Sequence, residues 1–81
     1  MEIKMDELLA NMVKSIVDSP DDVKVNINES DNTRIFELEV GEGDIGKVIG
    51  KKGKNVNALR VILSAATAKE GEKRAILEVI E

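Results

Sequence analysis

The chain has 81 residues and a formal net charge of −4, with 42% apolar and 35% charged residues. This length supports one small domain with one hydrophobic core and excludes a two-lobed enzyme. The absence of cysteine and histidine excludes disulfides, thiolate or imidazole metal sites, cysteine nucleophiles and a histidine base. We therefore expect no enzymatic activity, no catalytic residues, no metal and no cofactor.

Two features bear on where the protein resides. No apolar run approaches the roughly 20 residues that a membrane-spanning helix needs. The first nine residues, MEIKMDELL, contain acidic residues where a secretory signal has a basic region. The sequence therefore predicts a cytoplasmic protein, organised as a single domain over residues 1–81.

A helix is predicted near the start of the chain. Apolar residues recur at helical spacing across residues 8–17, and Asp6 is a candidate N-cap. Because the residue before a proline is pushed out of the α region, Ser19 followed by Pro20 is expected to end this helix.

An antiparallel β-hairpin is predicted next. Residues 23–29 and 34–40 alternate apolar and polar side chains, which is the period of a half-buried strand. The intervening sequence SDNT is typical of a turn. The side chains predicted to point inward from the hairpin are Val23, Val25, Ile27, Phe36, Leu38 and Val40.

The second half of the chain predicts two helices and a third strand. Asp44 is a candidate N-cap for the first of these helices, and Gly50 and Gly53 separate it from the second. The predicted ranges are 45–49 and 54–68 for the helices and 73–80 for the strand. The helical side chains expected in the core are Ile49, Val56, Leu59, Leu63 and Ala66.

The order α-β-β-α-α-β determines the expected fold. The last crossover contains two helices, so the second and third strands should run parallel. All three helices then cover one face of a mixed three-stranded sheet, which is a two-layer α+β architecture. On the opposite face, Ile35, Ile76 and Ile80 alternate with charged residues and form a candidate partner surface.

The charges are segregated along the chain. Residues 45–69 hold six basic and no acidic groups, whereas the other residues hold six basic and sixteen acidic groups. Local potential, rather than net charge, steers an anionic ligand, because salt screens charges beyond about 8 Å. An acidic body with one basic segment is therefore compatible with an anionic partner.

The glycine-rich stretch GEGDIGKVIGKKGK (residues 41–54) admits three interpretations. Its first three glycines match G-x-G-x-x-G, but the amphipathic preceding strand and the adjacent acidic residues disagree with a dinucleotide site. Gly46-Lys47 matches the end of an NTPase phosphate loop, but Val48 stands where the magnesium-binding hydroxyl belongs. The third pattern, IGKKG at residues 49–53 between two helices, fits its context.

The stretch DIGKVIGKKGKNVNALRVIL (residues 44–63) resembles the core of a KH domain, in which an apolar I-G-x-x-G loop joins two helices. The element order is similar to the type II arrangement of that family, and the chain most resembles the small bacterial KH proteins of the KhpA type. The resemblance implies an RNA-binding protein in post-transcriptional regulation or an RNA chaperone. It also implies a homodimer, or a heterodimer with a larger KH-containing RNA-binding protein.

The resemblance places about four nucleotides of single-stranded RNA on the glycine loop and in an apolar groove beside it. The loop glycines allow close approach, while the lysines and the unsatisfied amides of the following helix attract phosphates. The implied RNA-binding residues are Ile45, Gly46, Lys47, Val48, Gly50, Lys51, Lys52, Gly53, Lys54, Asn55, Val56, Asn57 and Arg60.

Three alternatives stay open. Gly46 could serve only the close packing of helices, because glycine inside a helix otherwise lowers stability. Asn55 is equally a candidate N-cap. The whole domain could be a protein-interaction or dimerisation module with incidental affinity for nucleic acid.

Overall fold

The computed structural model describes residues 4–71 and 73–80. Its helices and strands are α1 (Met5–Lys14), β1 (Lys24–Glu29), β2 (Thr33–Glu39), α2 (Ile45–Ile49), α3 (Lys54–Glu70) and β3 (Arg74–Ile80), with short 3-10 turns at Pro20–Asp22 and Lys51–Gly53. This order confirms the predicted α-β-β-α-α-β arrangement. None of the helices among these residues has the length and apolar character needed to cross a membrane.

The sheet is mixed, with β2 at its centre and the strand order β1-β2-β3. β2 pairs antiparallel with β1 and parallel with β3, as predicted. In this register Phe36 lies between Ile27 on one side and Leu77 on the other. Because α1 packs on β1 and α3 packs on β3, the helices form one layer and the sheet the other.

The hydrophobic core lies between these two layers. α1 contributes Leu9 and Val13, which are completely buried, and β2 contributes Phe36 and Leu38, which are also at 0% exposure. The buried apolar residues of the described chain are Met5, Leu9, Val13, Val23, Phe36, Leu38, Val40, Val48, Val56, Leu59, Leu63 and Leu77. Apolar burial at this level is the main driving force for folding.

The first helix differs from the prediction at both ends. It begins at Met5, so Asp6 lies in the first turn rather than at the N-cap, where its charge favours the positive end of the helix dipole. Ser15 terminates the helix, and its hydroxyl donates a hydrogen bond to the Met12 carbonyl (2.6 Å). Ile16, predicted within the helix, therefore follows its end and is 37% exposed.

A charged cluster fastens the hairpin to the start of β3. Glu29 pairs with Arg34 (Nε to Oε1, 2.5 Å) and with Lys73 (Nζ to Oε2, 3.0 Å). The hydrogen bonds from Lys73 and Arg34 hold the pKa of Glu29 below its ordinary value. The Arg74 N–H also donates to the Asn32 carbonyl (2.8 Å). Together these contacts hold the beginning of β3 beside the hairpin turn.

The sheet face opposite the helices is not covered by any other part of the described chain. Ile35 and Ile76 are register partners on this face, and Ile80 on the same face is 44% exposed. This is the placement predicted from the alternation of apolar and charged residues in β2 and β3.

Candidate nucleic-acid interface

A buried carboxylate holds the start of α2 in place. Asp44 is 2% exposed, and its two oxygens accept hydrogen bonds from the backbone N–H groups of Asp18 (3.2 Å) and Ser19 (3.0 Å). Asp44 occupies the N-cap position of α2, as predicted, but its side chain makes no capping hydrogen bond because the carboxylate is engaged with the α1–β1 connection. The helix that leads into the glycine loop is thereby tied to the body of the domain.

Residues 50–53, termed the GKKG loop, reverse the chain between α2 and α3. Three of the four residues have positive φ: Gly50 (76°), Lys52 (58°) and Gly53 (75°). The conformation of Gly50, with ψ at 171°, is one that essentially only glycine adopts. Gly53 occupies the N-cap position of α3. The prediction that two glycines separate the helices is therefore confirmed.

The side chain of Asn55 packs inside the GKKG loop and stabilises its conformation. Its Nδ2 donates to the Lys47 carbonyl (2.8 Å), which links the end of α2 to the first turn of α3. A Cβ on Gly50 would lie 2.6 Å from Asn55 Cγ, so the loop closes tightly over this side chain. Because Gly53 is the N-cap, Asn55 does not have the capping role that the sequence allowed.

Four cations of the basic segment are exposed on the loop and on α3. Lys51 and Lys52 are exposed, and so is Lys54 in the first turn of α3. Arg60 lies further along the helix and is also exposed; its Nη1 donates to Asn57 Oδ1 (3.3 Å). These side chains place three exposed cations at the loop and the start of α3, and a fourth further along the helix.

A cleft of about 610 Å³ lies between α3 and β3. Arg60 and Ser64 line it from α3, and Lys73 with residues 74–77 lines it from β3. Arg60 was expected from the sequence, whereas Ser64 was missed although it stands one helical turn after Arg60. Apart from its strand pattern, the sequence of β3 did not indicate that these residues line a binding cleft. Since β3 is an edge strand, its outer backbone groups are unpaired within the sheet.

The sequence that forms this domain matches a known protein family. A family model described as the KH domain of KhpA and KhpB matches residues 6–79. The chain belongs to this KH-domain family. The match includes the GKKG loop, both flanking helices and most of β3. It confirms the resemblance of residues 44–63 to the core of a KH domain.

Individual members of the KhpA family match over nearly their whole length. A relative from Caldanaerobacter subterraneus is 45% identical over 76 residues, which cover 94% of this chain and 100% of the relative. One from Chlamydia trachomatis is 42% identical over 77 residues (95% and 97%), and one from Borreliella burgdorferi is 41% identical over 75 residues (93% and 90%). Each is named RNA-binding protein KhpA.

Gly46 has no packing role within this KH domain. It is exposed in α2, and a Cβ built on it would meet no other described atom within 4 Å. Glycine inside a helix lowers stability by roughly 0.5–1 kcal/mol relative to alanine. Because no contact within the chain requires glycine here, the alternative that Gly46 only permits close helix packing is wrong.

Some apolar residues of the KH motif are buried beneath the loop, and others are exposed beside it. Val48 (0% exposed) and Val56 (8% exposed) belong to the core, so they support the loop from beneath and present almost no surface to a ligand. Ile45 is half-buried. Ile49, expected in the core, is instead 39% exposed, because it ends α2 just before the chain turns outward at Gly50.

Lys47 differs from the loop lysines in having an anionic neighbour. Its Nζ lies 3.4 Å from Asp18 Oδ2, and its side chain is 47% exposed. Exposed ion pairs of this kind are typically worth less than about 1 kcal/mol. Lys47 can therefore turn toward a phosphate at little cost.

Proposed function

We propose that this protein binds short single-stranded RNA segments through the GKKG loop and the cleft between α3 and β3, as a binding module without enzymatic activity. The observation that carries the proposal is the loop: exposed Lys51 and Lys52 stand between two glycines of positive φ, immediately before a 17-residue helix. The name shared by the relatives, RNA-binding protein KhpA, supports it. Post-transcriptional regulation or RNA chaperoning would follow from such binding.

The phosphates would be held at the GKKG loop. The first backbone N–H groups of α3 lack partners within the helix, and the helix dipole places partial positive charge there. Lys51, Lys52 and Lys54 add three cations, and Arg60 adds a fourth further along α3. Such contacts position the strand without reading its sequence. For three or four neutralised phosphates, the log–log dependence of affinity on salt has a slope of roughly −2 to −3.

The bases would lie beside Gly46 and in the cleft between α3 and β3. Gly46 leaves its backbone open to a ligand, and Arg60 and Ser64 offer hydrogen-bonding groups. Phe36 is the single aromatic residue of the sequence and is completely buried, so aromatic stacking adds no affinity and binding by one domain should be weak. The proposed surface residues are Ile45, Gly46, Lys47, Gly50, Lys51, Lys52, Gly53, Lys54, Asn55, Asn57 and Arg60, with Val48 and Val56 beneath them.

The proposal is tested by reversing the charge of the loop. Lys51→Asp with Lys52→Asp changes the net charge from −4 to −8, and aspartate tolerates the positive φ of Lys52. The matched control, Lys14→Asp with Lys24→Asp, reaches the same net charge at exposed positions outside the loop and cleft. In titrations of a labelled single-stranded RNA, we expect the loop variant to lose at least tenfold in RNA affinity. The control should lose much less. A folded loop variant that binds like the parent would disprove the proposal.

We further propose that the domain associates through the outer face of α3, as a homodimer or with a larger KH-containing RNA-binding protein. Val61 is 69% exposed and Ile62 is 44% exposed. Ala58 and Ala65, also exposed, lie on the same helical face. An uncharged stripe with small residues suits the packing of one helix against another, and it supports the alternative function as an interaction module.

Light scattering tests the association. Val61→Gln with Ile62→Gln should reduce the apparent mass of the parent toward that of a monomer. Ile16→Gln, which changes an exposed apolar residue outside α3, serves as the control. A double variant that associates as the parent does would move the interface away from α3.

A further inference from the structure

The open face of the sheet has an ordered arrangement of side chains in rows across the strands. One row pairs Ile35 with Ile76, and the next pairs Glu37 with Glu78. The row beyond these contains Lys24, Glu39 and Ile80. The face therefore has apolar positions on both sides of an acidic row.

The acidic row is unfavourable in the domain alone. Glu37 and Glu78 are direct register partners on parallel strands, and like charges in that relation repel one another. Asn28 Nδ2 donates to Glu37 Oε1 (2.7 Å), which satisfies one oxygen without neutralising the charge. A cation placed over this row would remove the repulsion.

The face also differs in charge from the part of the helical layer formed by α2 and α3. The acid-free basic segment, residues 45–69, spans α2, the GKKG loop and most of α3. The open face carries three glutamates, Glu37, Glu39 and Glu78, and two cations, Lys24 beside Glu39 and Arg74 at the start of β3. Its acidic charge is therefore concentrated at the Glu37–Glu78 row, which has no cation opposite it in register.

We propose that this open face is a docking surface for a cationic, amphipathic protein segment, with apolar side chains over the isoleucines and lysine or arginine over Glu37 and Glu78. The inference goes beyond RNA binding and does not depend on it. The Glu37–Glu78 row disfavours RNA as the occupant. A second copy suits the face less well than a cationic segment does, because it would bring its own three glutamates together with Lys24 and Arg74.

The experiment uses a labelled 18-residue helical peptide of leucine and lysine, with the lysines flanking the leucine stripe. A second peptide replaces every lysine with glutamate. The protein variants are Glu37→Gln with Glu78→Gln and, as a matched control, Asp21→Asn with Glu42→Gln. Both have a net charge of −2, two units above the parent's −4. The control positions are exposed and lie in connections outside the sheet.

We expect the lysine peptide to bind the parent in a saturable manner and the glutamate peptide not to bind. Glu37→Gln with Glu78→Gln should weaken binding of the lysine peptide about tenfold. Ile35→Thr, which keeps a β-branched side chain in the strand at a position outside the α3–β3 cleft, should also weaken it. The control should bind within about twofold of the parent. All variants are checked by thermal melts.

Three results would overturn the inference. Equal weakening in the matched control would show that general charge attraction brings the peptide to the protein. Backbone amide shifts confined to α1 or α3, rather than β2 and β3, would place the peptide elsewhere. Self-association that Ile35→Thr abolishes would make a second copy the occupant.

Discussion

The side chain of Asn55 fills the space that a Cβ on Gly50 would need, with 2.6 Å between that Cβ and Asn55 Cγ. The same side chain donates a hydrogen bond to the Lys47 carbonyl (2.8 Å). One amide group therefore both closes the GKKG loop and joins the two helices beside it. The loop conformation is built into the domain before any ligand arrives, which lowers the entropic cost of binding.

Gly50 and Gly46 should respond in opposite directions to the same substitution. Gly50→Ala introduces a clash with Asn55 at a φ of 76°, and we expect a loss of about 2 kcal/mol or more in the free energy of unfolding. Gly46→Ala adds a methyl group in open space and should raise stability by about 0.5–1 kcal/mol. Thermal or denaturant melts measure both. Equal destabilisation by the two variants would contradict the assignment of Gly46 to ligand contact.

Asn55→Ala should destabilise the domain by about 1 kcal/mol, because the Lys47 carbonyl loses its side-chain donor. It also removes the atoms that obstruct a Cβ at position 50. The double variant Gly50→Ala with Asn55→Ala should therefore be less destabilised than the sum of the two single changes. The strain of positive φ at Gly50 would remain, so the rescue is partial. Strict additivity in this double-mutant cycle would show that the two residues do not interact.

The fold follows from the sequence because its patterns are strong and agree with one another. The period-2 alternation placed Phe36 and Leu38 in the core, and the glycine pair separated α2 from α3 at the correct residues. The parallel pairing of β2 and β3 followed from the two-helix crossover. Each of these depends on local pattern and chain connectivity.

The predictions that failed depend on contacts between distant parts of the chain. Asp44 has the residue type and position of an N-cap, but the amides of Asp18 and Ser19 compete successfully for its carboxylate. Asn55 likewise bonds to the preceding helix rather than capping its own. The cleft between α3 and β3 could not be foreseen, because its walls come from elements whose relative placement the sequence pattern does not specify.

Replacing the Asp44 carboxylate tests its role as an anchor. Asp44→Asn leaves one side-chain oxygen for two backbone donors and turns an NH₂ group toward the other. We expect the free energy of unfolding to fall by about 1–3 kcal/mol, which is the penalty for an unsatisfied buried hydrogen-bonding group. Asp21→Asn, at an exposed acidic residue in the α1–β1 connection that Asp44 contacts, should change stability by less than about 0.5 kcal/mol. Similar melting curves for the two variants would contradict the anchoring role.

Thr67 offers an opportunity to stabilise the domain. It is 1% exposed, and its hydroxyl has no hydrogen-bond partner among the described residues. Thr67→Val keeps the shape of the side chain and removes the unsatisfied hydroxyl. We therefore expect the free energy of unfolding to rise by about 1 kcal/mol, which corresponds to roughly 4–8 °C in Tm for a domain of this size. Ser64→Ala removes an exposed hydroxyl from the same helix and should have little effect. A decrease in Tm for Thr67→Val would show that the hydroxyl is bonded.

Lys52 combines an unfavourable conformation with an exposed charge. Its φ of 58° and ψ of 26° lie in the left-handed region, which costs a non-glycine residue roughly 1 kcal/mol and which asparagine tolerates better. Its neighbour Lys51 is equally exposed but does not share the positive φ. The two lysines therefore differ in backbone strain while carrying the same charge in the same loop.

Asparagine at each position separates the effect of strain from the effect of charge. Lys52→Asn should raise stability by about 0.5–1 kcal/mol, since it relieves the left-handed conformation, whereas Lys51→Asn should leave stability within about 0.5 kcal/mol. Each change removes one phosphate-binding cation, so both should weaken RNA binding and reduce the salt slope by about 0.7. Melts and RNA titrations at two salt concentrations measure these quantities on the same samples. If Lys52→Asn is more stable and binds RNA with the parent's affinity and salt slope, Lys52 contributes no phosphate contact, and the strained conformation would then have no role in binding.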